Sequence, residues 1–168
     1  MADDSTGLEG RVTWELRGPD GRVKRTGTAH NTITELGDRM YGERGAGLAG
    51  APAAPTGMKL GTGATAPAKT GAGAALVTYL ANSHQTFSGA ATSGLNAGAR
   101  RITYAATFAA GKATTGSAIT EAVIVNEALT DATSAAAATV SRVLLTGIGS
   151  KGAADTLTLT WTHDIGTP

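Results

Sequence analysis

Two glycine-rich stretches have the spacing of a dinucleotide-binding loop. They are residues 45–50 (GAGLAG) and 61–66 (GTGATA, with alanine in the last place). Such a loop binds a pyrophosphate only where a strand leads into the glycines and the amino end of a helix follows them. The first stretch follows a predicted helix, and the second runs into Pro67 and a further glycine loop. The spacing therefore indicates ordinary loop glycines, not a nucleotide site.

Three histidines, His30, His84 and His163, are the residues best suited to metal binding or acid–base chemistry. They stand far apart in the chain, and no cysteine is present to complete a zinc site. His163 falls on the apolar face of the last predicted strand. We interpret the histidines as hydrogen-bonded or exposed side chains, and the sequence predicts neither a metal site nor a cofactor.

Carboxylates offer the other route to catalysis. Glu35 and Asp38 fall on one face of a predicted helix, a spacing that also suits a solvated first turn. A hydrolase built on Asp155, Asp164 or Glu121 stays open as an alternative, since pairs that form only on folding are invisible in a sequence. No nucleophile motif of the G-x-S-x-G kind is present. We therefore expect no catalytic residue, no small-molecule substrate and a protein that is not an enzyme.

Composition narrows the range of partners. The chain has 168 residues, with 14 Lys plus Arg against 13 Asp plus Glu, so its net charge is +1. So small a charge creates no field that gathers nucleic acid or an anionic membrane. No apolar run approaches the roughly 18 residues that cross a bilayer, and residues 1–10 (MADDSTGLEG) are polar, unlike a signal peptide. We expect no nucleic-acid or membrane partner and synthesis in a cytoplasm. Five cations are candidates for a basic patch: Arg22, Lys24, Arg25, Arg100 and Arg101.

Alternation of apolar and polar residues predicts strands in both halves of the chain. In residues 11–17 (RVTWELR) the apolar residues, Trp14 among them, share one side. A Gly-Pro-Asp-Gly turn follows, which predicts a hairpin over 11–29 whose cationic second arm faces solvent or forms an edge. Trp161 alternates with threonines in the same way, so both tryptophans are predicted to lie in the core. The clearest strands of the second half are predicted near 101–108, 118–126, 140–146 and 156–165.

The order of elements predicts the fold class. A helix is expected at about 34–44, because the apolar spacing becomes helical after a threonine that suits the cap. Residues 45–73 are rich in Gly, Ala and Pro and are predicted as loops with a short strand candidate at 58–60 (MKL), and sheet strands are expected within 74–165. Strands without intervening amphipathic helices favour antiparallel pairing. The prediction is one mainly β domain, 11–168, an antiparallel β-sandwich or jelly-roll-like fold with one short helix, preceded by a polar N-terminal arm, 1–10.

Four segments, in this order, resemble the small auxiliary virion proteins of tailed bacteriophages. The resemblance spans roughly residues 30–165 and includes no catalytic residue. The segments are 30–34 (HNTIT), 58–70 (MKLGTGATAPAKT), 119–122 (ITEA) and 151–162 (KGAADTLTLTWT).

The resemblance implies a structural role in the virion. It implies a protein that decorates and stabilises the capsid by binding the assembled shell of the major capsid protein, as a homotrimer made in the host bacterial cytoplasm. The alternative that it leaves open is a minor tail, collar or tail-fibre component that contacts the host surface. Low charge, abundant threonine and protected strand edges suit either role, because a virion subunit must stay soluble before it assembles.

Overall fold

The computed structural model describes residues 7–166. These residues form nine strands, one α-helix and two 3₁₀ turns, at Gly71–Ala74 and Ala136–Ala138. The helix, α1, spans Glu35–Gly45. The strands are β1 (Leu8–Arg17), β2 (Val23–Ile33), β3 (Gly57–Gly61), β4 (Gln85–Thr86), β5 (Thr92–Asn96), β6 (Ala99–Phe108), β7 (Glu121–Val125), β8 (Thr139–Leu144) and β9 (Thr156–Ile165).

All nine strands belong to one sheet, in the order β4-β3-β7-β8-β2-β1-β9-β6-β5, and each neighbouring pair is antiparallel. β2 pairs with β1 along most of its length, whereas only Thr32 and Ile33 pair with β8. The first residues of β2, Lys24 and Arg25 among them, are therefore exposed to solvent, as predicted. Beyond β4, the Ser88 N–H donates to the Ala105 carbonyl of β6 over 2.8 Å, so the sheet curls back toward itself. The prediction of a mainly β, antiparallel fold with one helix is confirmed, and the curled sheet is compatible with a sandwich.

The core lies between the two halves of the curled sheet. Trp14 and Trp161 are 4% and 0% exposed, which confirms that both belong to it. Buried and half-buried residues alternate along most of β9, because successive side chains of a strand point to opposite faces. A Cβ on Gly27 of β2 would lie 2.3 Å from Cζ2 of Trp14. The missing side chain at Gly27 therefore makes room for the indole ring.

Thr34 and Gly37 determine where the helix begins and how closely it packs on the sheet. The Thr34 hydroxyl oxygen accepts from the Gly37 N–H over 3.2 Å and donates to the Val140 carbonyl of β8 over 3.1 Å, so it caps the helix and fixes it to the sheet. A Cβ on Gly37 would lie 2.3 Å from that carbonyl oxygen. Glycine thus allows the first turn of α1, one residue from its predicted start, to lie directly on β8.

The predicted arm, 1–10, overlaps the first strand. Leu8 and Gly10 pair with β9, and Gly10 also pairs with β2. The boundary predicted at residue 10 is therefore wrong, and the sheet begins at Leu8. The alternation of apolar residues along β1 is interrupted in the sequence at Gly10, because glycine has no side chain. Residues 1–6 of the predicted arm lie outside the described residues. The hairpin likewise extends beyond the predicted residues 11–29, because β1 begins at Leu8 and β2 ends at Ile33.

The short strand predicted at 58–60, within the glycine-rich segment 45–73, is present as β3. β3 is buried at all five positions and lies between β4 and β7. Met58 and Leu60 pack in the core, while Lys59 between them points to the opposite face. Because glycines stand at both ends of β3, residues 57 and 61 have the composition of a loop, and their assignment as loop is corrected here.

Candidate functional site

The second glycine-rich stretch wraps around a buried ion pair. Glu121 of β7 and Arg142 of β8 are both 0% exposed, and Nη2 of the arginine lies 2.8 Å from Oε2 of the carboxylate. A Cβ on Gly61 or on Gly63 would lie 2.6 or 2.4 Å from Oε1 of Glu121. These two glycines therefore let the backbone approach a carboxylate of the protein itself.

This ion pair organises a long loop that has few large side chains of its own. Besides Arg142, Glu121 accepts hydrogen bonds from the backbone N–H groups of Gly63, Val77 and Thr78, at 3.0, 3.2 and 2.7 Å. Arg142 also donates to two loop carbonyls, at residues 65 and 73. With Nε of Arg142, which donates to Oε2 over 3.3 Å, and Nη2, five N–H groups saturate the carboxylate, so it has no lone pair directed at a substrate. The pair is built to hold the loop in place.

The first glycine-rich stretch ends the helix. The Gly47 N–H donates to the Arg44 carbonyl and the Leu48 N–H to the Glu43 carbonyl, while Gly47 has a φ of 68°. This is the Schellman arrangement, in which a glycine in the left-handed region satisfies the last carbonyls of a helix. The stretch follows a helix end and does not precede a helix, so it lacks the geometry of a phosphate-binding loop.

His163 lies at the centre of a buried polar network. It is 0% exposed on the inner face of β9, and its Nδ1 is 2.7 Å from the hydroxyl of Tyr41, which is 3.0 Å from the hydroxyl of Tyr104. On the other side of the ring, Nε2 is 3.3 Å from the Asn31 amide nitrogen, which donates to Ser141. The network connects α1 with β2, β6, β8 and β9.

Burial keeps this network uncharged at neutral pH. It lowers the pKa of His163 to about 3, although the charge of Asp164 acts in the opposite direction. Burial also raises the pKa values of Tyr41 and Tyr104. Because none of the three groups titrates near neutrality, the network has no acid–base couple suited to catalysis at pH 7. Its hydrogen bonds join the helix to the strands of the sheet.

The low pKa of His163 predicts a loss of stability in mild acid. The pKa is 6.5 in the unfolded chain and about 3 in the folded one, so between these values the unfolded chain binds more protons. Stability therefore falls as the pH drops below 6.5, by about 2 kcal/mol at pH 5 from this histidine alone. Urea unfolding at pH 7 and pH 5 measures the loss.

The His163→Gln variant is the control for this prediction. The carboxyl groups with a lowered pKa, such as Asp155 and Asp164, have unfolded values of 3.8, so they contribute little change between pH 7 and pH 5. We expect the variant to lose almost no stability over this interval. An equal loss in the variant and in the natural chain would show that His163 is not the acid-sensitive group.

The other two histidines lie elsewhere. His84 is partly exposed, with Nδ1 3.0 Å from the Tyr79 hydroxyl, which donates to Asp131 over 2.8 Å. His30 is exposed on β2, opposite Arg11 of β1. The three histidines predicted as separate side chains thus occupy three separate places. Within residues 7–166, no three His, Asp or Glu side chains come close enough to hold a metal ion.

The carboxylates left open for a hydrolase are each held in a different ion pair. Asp155 accepts from Lys24 over 2.9 Å, and Asp164 accepts two hydrogen bonds from Arg101, at 2.8 and 2.6 Å. These cations hold the pKa values of both aspartates below their usual range. Glu121 is the third and is bound as described above. The three carboxylates therefore belong to three separate ion pairs.

The five cations do not form one basic patch. Lys24 and Arg25 lie near the β1–β2 turn, where Arg25 donates to the Ile148 carbonyl over 2.6 Å. Arg100 and Arg101 lie beside the β5–β6 turn. Arg25 pairs with Leu16 of β1, and Arg101 lies level with Glu9 of β1, across the intervening strand β9. Leu16 and Glu9 are seven positions apart, which is about 24 Å at the rise of a strand. The cations therefore lie in two separate groups.

Two fully buried lysines were missed by the sequence reasoning. Lys59 Nζ donates to Glu127 over 3.0 Å and to the Ala132 carbonyl over 2.9 Å. Lys151 Nζ donates to the Ala109 carbonyl over 3.0 Å, and burial lowers the pKa of Lys151. Alternation at residues 58–60 places Lys59 on the face opposite the core, but gives no sign that a loop covers this face.

The outer surface offers two features to a partner. β5, the last strand of the sheet, has no charged residue, and Leu95 within it is 76% exposed. A polar cavity of about 290 Å³ lies near the same end of the sheet, and Arg11, His30 and Asp164 are among its lining residues. Threonines on the outward faces of neighbouring strands form the surface beside it: Thr13, Thr28, Thr103, Thr107, Thr158, Thr160 and Thr162.

Comparison of the chain with protein-family models, with curated proteins and with solved structures gave no match. Among residues 7–166, the single α-helix falls short of the length and apolarity needed to cross a bilayer. Function is therefore inferred from the residues and their arrangement.

Proposed function

We propose that this chain is a structural protein of a tailed-bacteriophage virion. It decorates and stabilises the capsid by binding the assembled shell of the major capsid protein, and it does so as a homotrimer without catalysing a reaction. The proposal starts from the four segments that resemble auxiliary virion proteins and is supported by the distribution of polar groups over the fold.

Segments far apart in the sequence meet around the Glu121–Arg142 ion pair. Segment 58–70 contributes the Gly63 N–H to Glu121, and the Thr120 hydroxyl of segment 119–122 donates to the Gly63 carbonyl over 2.7 Å. Segment 30–34 joins them through α1, whose Glu35 N–H donates to the Lys69 carbonyl over 2.9 Å. The fourth segment, 151–162, lies apart from these three, largely in β9 between β1 and β6. The resemblance of the four segments is the observation that carries the proposal.

The distribution of polar groups suits a subunit that stabilises other subunits. The buried cations are paired with carboxylates or carbonyls inside the fold, as in the Glu121–Arg142 and Lys59–Glu127 pairs. The exposed strand β5 has no charged residue. Such a surface makes many shallow contacts and has little cost of desolvating ions. It suits a clamp over a repetitive shell better than a concave site for one small ligand.

A specific observation favours a second candidate function, a minor tail, collar or tail-fibre component. The polar cavity beside Arg11, His30 and Asn96 presents guanidinium, imidazole and amide groups to solvent. Such groups form hydrogen bonds with the hydroxyls of a host-surface glycan. The two candidates share one fold and differ in the number of copies in each particle.

Copy number separates the two candidates. Purified particles are digested, and peptides of this chain are quantified against peptides of the major capsid protein by mass spectrometry. Decoration predicts a copy number of the same order as that of the major capsid protein, since a decorating subunit repeats with the shell. A few copies in each particle would favour the tail component, and no peptides in purified particles would contradict both.

A further inference from the structure

β5 leaves a regular set of backbone groups without partners within the sheet. Within residues 7–166 its only neighbour is β6, with Asn96 opposite Ala99 across a two-residue turn. In such a hairpin the pair next to the turn is hydrogen-bonded, and hydrogen-bonded pairs alternate with pairs that are not. Asn96, Gly94 and Thr92 therefore bond to β6. The N–H and C=O groups of Ser93 and Leu95 point away from the sheet.

We propose that a second copy of this chain pairs with β5 through its own β5. The two strands run antiparallel about a twofold axis at Gly94, and the two sheets continue into one another. This contact does not depend on a role in a virion, and it differs from the trimer contact proposed above.

The register of this pairing satisfies every free backbone group of the strand. With Gly94 opposite Gly94 of the second copy, Ser93 of each chain faces Leu95 of the other. These are the two residues whose N–H and C=O groups point outward, so they form two hydrogen-bonded pairs and four hydrogen bonds. The Gly94 pair between them is the close, non-hydrogen-bonded kind, with Cα atoms about 4.5 Å apart. Glycine suits this close approach because it has no side chain.

Charge and exposure also favour a second copy as the partner. β5 is uncharged, so two copies bring no like charges face to face. Natural monomers usually protect an edge strand with a lysine, a proline or a bulge, and none of these is present at Thr92–Asn96. Leu95 is the most exposed large apolar side chain among residues 7–166. In the paired register the two Leu95 side chains lie on the same face of the joined sheet and cover each other.

The contact is small, and its strength follows from its size. Five residues from each chain bury much less than the roughly 1,200 Å² of a stable complex. The pairing is therefore weak in dilute solution and becomes strong only where copies are held side by side, because a tethered contact acts at a high effective concentration. Cross-linking detects such a contact better than a measurement of mass at equilibrium.

A single cysteine at the twofold axis tests the register. The natural chain has no cysteine, and a Cβ on Gly94 meets no atom within 4 Å, so Gly94→Cys leaves the fold undisturbed. In the paired register the two cysteines lie within disulfide range. Under mild oxidation, the full-length variant should form a disulfide-linked dimer, measured by non-reducing electrophoresis.

Thr92→Cys is the matched control. Residue 92 is exposed on the same face of the same strand, but in the proposed register it faces residue 96 of the second copy. The two cysteines would then be about 13 Å apart, which no disulfide spans. We expect Gly94→Cys to link roughly tenfold faster than Thr92→Cys. Equal rates would overturn the proposed register.

A charge on the strand provides an independent test in the Gly94→Cys chain. Leu95→Lys places a cation from each copy in the joined edge and should slow cross-linking roughly tenfold. Leu48, in the loop after α1, has a side chain that is 58% exposed, and Leu48→Lys should leave the rate unchanged. If both lysine variants behaved alike, the cross-link would reflect random collision and the proposal would fail.

Discussion

Replacing Glu121 with alanine is expected to lower the free energy of unfolding by about 3–5 kcal/mol. The substitution leaves the fully buried guanidinium of Arg142 without its counter-ion. It also removes the acceptor of the Gly63, Val77 and Thr78 N–H groups. An unpaired buried charge is among the costliest defects in a folded protein. Urea or guanidinium unfolding, followed by tryptophan fluorescence, measures the change.

Two further variants show that burial is the cause. Glu15→Ala removes an ion pair with Arg17 at the surface, and surface pairs contribute at most about 1 kcal/mol. A double variant with methionine in place of both Glu121 and Arg142 should be more stable than Glu121→Ala, because no buried charge is left unpaired. If Glu121→Ala cost no more than Glu15→Ala, the ion pair would not hold the loop as described.

Replacing Trp161 with alanine is the second change with a large expected effect, about 3–5 kcal/mol. The side chain is 0% exposed and packs in the main core cluster, so its removal leaves a cavity between the halves of the sheet. Thermal and denaturant unfolding of the variant measure the loss. Unchanged stability together with a loss of glycan binding would mean instead that Trp161 is a surface platform for a ligand.

Trp161→Phe separates packing from hydrogen bonding. Among the described residues the indole N–H of Trp161 has no hydrogen-bond partner, so phenylalanine removes no bond and leaves only a smaller void. The expected cost is about 1–2 kcal/mol, well below that of alanine. A phenylalanine variant as unstable as the alanine variant would contradict an origin in packing.

Features that depend on local alternation could be predicted from the sequence. Trp14 and Trp161 lie in the core as predicted, because a strand with one face buried repeats its apolar residues every second position. The helix lies within one residue of its predicted bounds, since Thr34 supplies a cap that is readable in the sequence. The antiparallel fold follows from strands that succeed one another without helices between them.

Features that depend on distant contacts could not be predicted in this way. Glu121 and Arg142 are 21 residues apart, and nothing local shows that they meet or that a glycine loop closes over them. Lys59 resembles an exposed residue of a short strand, because the segment that covers it lies about 70 positions further on. The start of β1 was placed too late because Gly10 interrupts the apolar pattern. Sequence spacing reports periodic burial, whereas these features arise from the order of strands in the sheet.

The proposed place of the protein is tested most directly by imaging. Particles from the lysate in which the chain is made are labelled with a gold-conjugated antibody against it and viewed by electron microscopy. A capsid-decorating protein predicts gold distributed over the heads, with little on the tails. Gold at one vertex or along the tail would contradict decoration and favour the tail component, and particles without label would contradict a virion role altogether.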